Sequence, residues 1–177
     1  MTRSIVLLSL LPLILASCDG REAGSNPDSA TNNASLSGLE QAALDSGVIA
    51  NVSEISPTGL YRKRHEAGRD SLCIVTNKDK KLDFALEASF GEGINCRGHG
   101  TLRAAGDRLI MNFARSACIV VAGYEGDRVT MPGALDVECE SLCSQRGSLE
   151  GVIFPRVSRD ENVARAARGR KGDRLCS

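Results

Sequence analysis

The sequence predicts an all-β fold: an eight-stranded antiparallel up-and-down barrel, with short N- and C-terminal helices. Strand-like runs separated by short turn signals recur across residues 58–157, as they do where hairpins join successive strands. In the clearest run, Leu82, Phe84 and Leu86 alternate with mostly polar residues, which is the period-two pattern of a strand with one buried face. Closure into a barrel leaves no exposed sheet edge. A β-sandwich is the alternative.

The first 17 residues have the features of an export signal. Arg3 supplies a positive charge, and residues 5–15 are almost all Leu, Ile or Val. An apolar run of this length matches the core of a signal peptide, and it is too short for a membrane-spanning helix, which needs about 20 residues. We therefore predict that residues 1–17 are removed from the mature protein.

The signal ends in Leu15-Ala16-Ser17-Cys18, which resembles the lipobox of bacterial lipoproteins. The resemblance implies cleavage before Cys18 and attachment of fatty acyl chains to it, so that the protein is held on a membrane. Asp19 resembles an inner-membrane retention signal and favours that membrane. The predicted location is the bacterial cell envelope, lipid-anchored and facing the periplasm. The alternative is an ordinary secretory signal followed by a chance cysteine.

The segments before the barrel follow from composition and capping. Residues 18–36 are rich in Ser, Asn, Gly and Asp, so they predict a lipidated flexible tether. Ser37 and Glu40 have the spacing of a capping box, and Gly47 is a suitable stop, so a short helix is predicted between them. We assign residues 37–157 to one disulfide-stabilised β domain.

Eight strands are predicted in order, with Gly-containing turns between several of them. Their expected bounds are 58–63, 71–77, 81–90, 97–104, 107–114, 117–124, 127–131 and 149–157. The third strand is expected to carry Leu82, Phe84, Leu86, Ala88 and Phe90 on its buried face, and Asp83, Glu87 and Ser89 on its solvent face.

The cysteine count supports export independently of the signal. Apart from the lipidation site, the chain has an even number of cysteines: Cys73, Cys96, Cys118, Cys139, Cys143 and Cys176. Beyond the inner membrane thiols are oxidised, so three disulfides are predicted, with fifteen possible pairings.

Strand parity predicts where these cysteines lie. In a meander, alternate connections share one end of the barrel, and this places the first five cysteines at the end opposite the tether, which we call the far rim. Cys176 joins them if the tail runs back along the barrel. The far rim is expected to hold the longer loops, 64–70, 91–97 and 132–148.

Residues 158–177 predict a basic helical tail packed on the domain. Ser158 and Glu161 have capping-box spacing, Val163 lies on a modest apolar face, and Gly169 is a suitable stop. Four cations of the tail are candidates for contact with anionic lipid headgroups: Arg165, Arg168, Arg170 and Lys171. A solvated helix face is favoured over that contact.

Composition and motifs argue against several classes of function. The formal net charge is zero, aromatic residues make up only 3% of the chain, and Trp is absent, which disfavours nucleic-acid binding and stacking on bases or sugars. Cys96 and His99 have the spacing of a partial zinc site or a thiol–imidazole pair, but an oxidising compartment favours disulfides. We therefore predict no metal, no cofactor, no nucleic-acid partner and no enzymatic activity.

Over residues 58–157 the order of strands, glycine turns and cysteines resembles small calycin-type barrels, which include envelope lipoproteins that inhibit lysozymes or proteases. The chain also resembles cysteine-rich lipoproteins of Gram-negative bacteria. Both resemblances are architectural and imply no functional residues. The predicted function is a non-enzymatic binding or interaction module, inhibitor-like, that meets a periplasmic protein through the far rim. The alternatives are a carrier of one small apolar ligand inside the barrel and an envelope hydrolase using His65 or His99.

Overall fold

The structure, a computed structural model, describes residues 38–47 and 51–176. Its eight strands form a closed antiparallel barrel in which each strand pairs with the next and the last pairs with the first. The predicted barrel is therefore confirmed, and the sandwich alternative is wrong. The strands are β1 (Gly59–His65), β2 (Gly68–Thr76), β3 (Leu82–Ser89), β4 (Asn95–Ala105), β5 (Arg108–Phe113), β6 (Ile119–Tyr124), β7 (Arg128–Thr130) and β8 (Ile153–Ser158).

Within the described residues, four short helical segments accompany the barrel. The α-helices are α1 (Gly38–Asp45) and α2 (Glu161–Ala166), and two 3₁₀ helices span Val52–Glu54 and Val137–Leu142. Among the residues described, no helix is long and apolar enough to span a bilayer. The predicted signal 1–17, Cys18, the tether 18–36 and Ser37 lie outside the described residues.

Side chains fill the interior of the barrel. Phe84 of β3 and Phe113 of β5 pack edge to face, with ring centroids 4.9 Å apart. Gly98 of β4 makes room for them, because a Cβ atom there would overlap the Phe113 ring. Leu86 and Met111 are fully buried beside them. A packed interior of this kind supplies most of the apolar burial that stabilises the fold.

The near end of the barrel, where the chain enters β1, is closed by a polar cluster. The guanidinium of Arg156 in β8 lies over the rings of Tyr61 and Tyr124, 5.0 and 5.6 Å from their centroids. Each tyrosine hydroxyl donates to the backbone of the preceding segment, Tyr61 to the carbonyl of Pro57 at 2.7 Å and Tyr124 to that of Ser56 at 3.0 Å. These bonds satisfy polar groups that would be costly to bury unpaired.

Several predicted boundaries are corrected by the structure. The eighth strand begins at Ile153 rather than 149, because Gly151 has a positive φ of 66° and residues 149–152 form a turn. Phe90 lies beyond the end of β3 and is 38% exposed, so it is not part of the buried face. The cap of α2 is Asp160, whose side chain accepts from the backbone N–H of Asn162, so Ser158 does not cap the helix.

The outer face of β3 is buried, whereas the sequence predicts that it faces solvent. Glu87 and Ser89 were expected in solvent, but they are only 4% and 2% exposed. Residues 159–176, which we call the C-terminal strap, cover that face and continue past α2, which ends at Ala166 rather than at Gly169. The alternation that marks one buried face did not reveal that the other face is also covered.

Candidate functional site

The far rim is dominated by one long segment between β7 and β8, residues 131–152, which we call the mouth connection. Only residues 66–67 separate β1 from β2 at the same end. Long connections in compact domains are usually functional or disordered. This one is held in place at both ends, since the N–H of Met131 donates to Val152 O at 2.9 Å and that of Gly151 donates to Pro132 O at 2.9 Å.

Two disulfides fix the middle of the mouth connection. Cys139 is bonded to Cys118 at the start of β6, and Cys143 is bonded to Cys96 near the start of β4. Next to the second bond, the N–H of Ser144 donates to Asn95 O at 2.8 Å. The mouth connection is therefore attached to two different strands of the barrel wall.

The same segment closes the barrel at this end. Leu149 is fully buried in the interior cluster, and Leu135 and Leu142 pack against that cluster while remaining partly exposed. The polar cluster around Arg156 closes the near end. Both ends of the barrel are therefore covered, and the interior between them is occupied by protein side chains. The interior has the packing of a core and not that of an apolar ligand site.

The outward face of the mouth connection combines an apolar residue with acids. Val137 is 69% exposed, and it lies among exposed carboxylates. A groove of about 360 Å³ runs beside it, lined by Asp136, Glu140 and Arg146 among other residues. The mouth connection carries four acids, Asp136, Glu138, Glu140 and Glu150, against the single base Arg146. The mouth connection therefore offers a rigid, negatively charged surface with an exposed apolar side chain.

Four of the five cysteines predicted at the far rim lie there, and Cys73 does not. Cys73 is in the middle of β2, points outward from the barrel and is bonded to Cys176, so Cys176 also lies on the wall and not at the rim. Parity correctly placed the cysteines next to connections, but it says nothing about a cysteine inside a strand. The three bonds are nested, with 73–176 enclosing 96–143 and 96–143 enclosing 118–139.

The strap is fastened to the wall by buried polar groups. The Glu87 carboxylate accepts from the backbone N–H of Arg170 at 2.8 Å and forms an ion pair with Arg97. Gly169 lies directly against that carboxylate, because a Cβ atom there would stand 2.8 Å from Glu87 Oε1. The sequence signal for this docking was the cysteine at the end of the tail.

The cations predicted to contact lipid are mostly engaged within the protein. Arg165 donates to the carbonyl of Thr76 and to Glu161, Arg168 donates to Gly172 O at 2.7 Å, and Arg170 donates to the Ser89 hydroxyl. Lys171 is exposed. Lipid contact by these four residues stays a prediction, but the bonds from Arg165 to Thr76 and from Arg170 to Ser89 hold the strap against the wall.

No family model, curated protein or solved structure matches the chain.

Neither histidine sits in an arrangement that carries a recognisable reaction. His65 Nε2 is 3.0 Å from Asp70 Oδ1, yet the same carboxylate oxygen accepts from the backbone N–H of Ser89, and the Ser89 hydroxyl is buried and held by Arg170. His99 is exposed on the outer wall. Within residues 38–47 and 51–176 no group of three or more potential ligands is placed to hold a metal ion.

Proposed function

We propose that the protein is a lipid-anchored envelope module that binds a periplasmic protein through the mouth connection, without catalysing a reaction. The observation that carries the proposal is the clamping of this long acidic segment by two disulfides. Because the segment is already ordered, a partner would not have to supply the free energy of ordering it, and preorganised surfaces bind more tightly for that reason.

The charge of the surface indicates the chemistry of the partner. Four acids against one base favour a partner whose contact surface is basic, because complementary charge speeds association and excludes wrong partners. The exposed Val137, which lies between Asp136 and Glu138 in the chain, supplies an apolar contact of the kind found at the core of interfaces. An inhibitor of an envelope enzyme would fit this description. The filled interior gives no support to the carrier alternative.

The anchor is the second half of the proposal. Six cysteines paired as three disulfides agree with an oxidising compartment outside the inner membrane, and the lipobox-like Leu15-Ala16-Ser17-Cys18 supplies the attachment point. Labelling growing cells with a radioactive fatty acid should mark the wild-type chain and leave Cys18→Ser unmarked and unprocessed. Normal processing and unchanged membrane association of Cys18→Ser would disprove the anchor.

Binding is tested with the oxidised chain from residue 19, immobilised and exposed to an envelope extract of its own bacterium. We expect a protein with a basic surface to be retained, and its affinity to fall as ionic strength rises. The double variant Val137→Ser with Glu138→Lys should weaken that complex by about tenfold or more, the size expected when a central interface contact is lost.

A matched double variant provides the control. Val121→Ser with Glu125→Lys changes the same residue types at exposed positions on β6 and in the turn after it, away from the far rim. It should leave the affinity unchanged. If both double variants weaken the complex equally, or if only lipid is eluted from the immobilised chain, the binding surface is not the mouth connection.

A further inference from the structure

A second surface, distinct from the far rim, lies on the outer wall where α2 crosses the hairpin of β1 and β2. It is an open recess of about 410 Å³. Three arginines line it, Arg62, Arg69 and Arg168, and its apolar wall includes Leu60, Val163 and Ala166. None of the residues that line it is an acid. A recess with this lining is suited to a ligand that has both a negative charge and an apolar portion.

The positive charge in this recess is not neutralised by the protein. Arg62 and Arg69 both lie on the outer face, and Arg64 is directly opposite Arg69 in the strand register. In the part of the chain that the structure describes, Arg62, Arg64 and Arg69 form no ion pair. Like charges held this close destabilise one another, so their clustering calls for an explanation.

Buried polar atoms without partners mark the same place. The Nε atom of Arg62 is buried and has no hydrogen-bond partner among residues 38–47 and 51–176. The same is true of the hydroxyl of Ser71, which is opposite Arg62 in the register. Burial, and then the charges of Arg69 and Arg64, lower the pKa of Arg62. A buried donor left unsatisfied costs free energy, and an anion that accepts from it removes that cost.

Two other arginines of the strap, Arg165 and Arg170, are placed differently. Arg165 donates to the Thr76 carbonyl on the wall and to Glu161 of its own helix, and Arg170 donates to the Ser89 hydroxyl on the wall. Arg69, in contrast, donates through Nη2 to the backbone carbonyl of Arg168 at 3.2 Å, a bond that holds its guanidinium beside the recess without neutralising it.

We propose that this recess binds a phosphate group, with Arg62 and Arg69 as the donors. Arginine suits this role because its planar fork pairs with two phosphate oxygens at once. The phosphate can belong to the headgroup of an anionic lipid, whose apolar part would lie against Leu60, Val163 and Ala166, or to a soluble phosphate. These two sources share one chemistry and are separated by experiment.

The test uses the oxidised, lipid-free chain from residue 19 with two probes. The first is inorganic phosphate, followed through the NMR signals of the arginine Nε–H groups, where the Arg62 signal is expected to shift. The second is a set of vesicles of phosphatidylcholine with or without phosphatidylglycerol, followed by co-sedimentation. Since each cation near an anionic surface contributes roughly a fivefold factor to binding, Arg62→Gln with Arg69→Gln should weaken association about twentyfold.

Arg103→Gln with Arg108→Gln removes the same charge from exposed positions on the β4–β5 hairpin and should weaken association by only about twofold. Arg62→Lys keeps the charge but loses the fork and should lie between the two. Binding of either probe that depends on Arg62 and Arg69 supports the site, and the probe that binds identifies the source. Equal losses in the two double variants, or no Arg62 shift and no vesicle binding, would overturn it, provided that the NMR spectra show folded proteins.

Discussion

The two long segments outside the barrel strands are both held by disulfides, yet they relate to the fold in opposite ways. The mouth connection places Leu149 in the interior cluster and closes one end of the barrel. The strap forms a separate small cluster with the outer wall, in which Ala164 and Ala167 meet Leu60 and Val75. The mouth connection is part of the main core, whereas the strap packs on the outside of the barrel wall. Substitutions in the two segments should therefore lower the free energy of unfolding by different amounts.

Their charges differ as well. The mouth connection is acidic, whereas the strap carries six cations against three acids. Opposite charges on separate surfaces let a chain with no formal net charge meet a basic partner at the rim and an anionic group on the wall. Net charge alone therefore hides the most useful electrostatic feature of the chain.

The largest effect is expected from a truncation in the mouth connection. Leu149→Ala removes a fully buried side chain from the interior cluster and should lower the free energy of unfolding by about 3 kcal/mol. Leu175→Ala, in the strap, removes a partly exposed side chain and should cost about 1 kcal/mol. Urea denaturation of the two oxidised variants measures both. Equal losses would show that the strap belongs to the same cooperative core.

The comparison also shows what the sequence could predict. The eight strands were recognised because alternation and Gly turns are local signals, carried by a few neighbouring residues such as Leu109, Met111 and Phe113. The position of Cys96 and Cys143 at one rim followed from strand parity. These features depend on chain order alone.

Docking of the strap could not be predicted in the same way. Glu87 lies on the polar side of an alternating strand, and a carboxylate there normally faces water. Its burial depends on Gly169 and Arg170, which lie far along the chain and do not repeat with any period. The arginine recess has the same origin, since β1, β2 and α2 must meet before it exists.

A smaller effect is expected from adding one methyl group to the strap. Gly169→Ala places a Cβ atom 2.8 Å from Glu87 Oε1 and should cost about 1–2 kcal/mol through displacement of the strap. Gly133→Ala in the mouth connection is the matched control, because nothing lies within 4 Å of its Cβ position. Hydrogen exchange should quicken in residues 167–176 of the first variant only. Faster exchange throughout the barrel would contradict the separation of strap and core.

The smallest effect is expected at low pH, where protonation of Glu161 weakens the contact between α2 and the barrel wall. Glu161 accepts from the N–H of Thr76 at 3.0 Å and from its hydroxyl at 3.2 Å, and it pairs with Arg165. Partial burial raises the pKa of Glu161, but the hydrogen bonds from Thr76 and Arg165 outweigh that effect and lower it. Because the folded-state pKa is below the unfolded one, this stabilisation is complete above the ordinary glutamate value of about 4.3.

The stabilisation is lost as pH falls through the lower, folded-state pKa. Its size should be less than about 1 kcal/mol, since the ion pair is partly exposed and screened by solvent. The protection factors of the strap amides, which compare the observed exchange rate with the intrinsic rate at the same pH, should therefore fall in wild type as the pH is lowered below about 4. Glu161→Gln should show lower protection factors at neutral pH and a weaker dependence of them on acid. An unchanged acid dependence in Glu161→Gln would contradict the assignment of the loosening to Glu161.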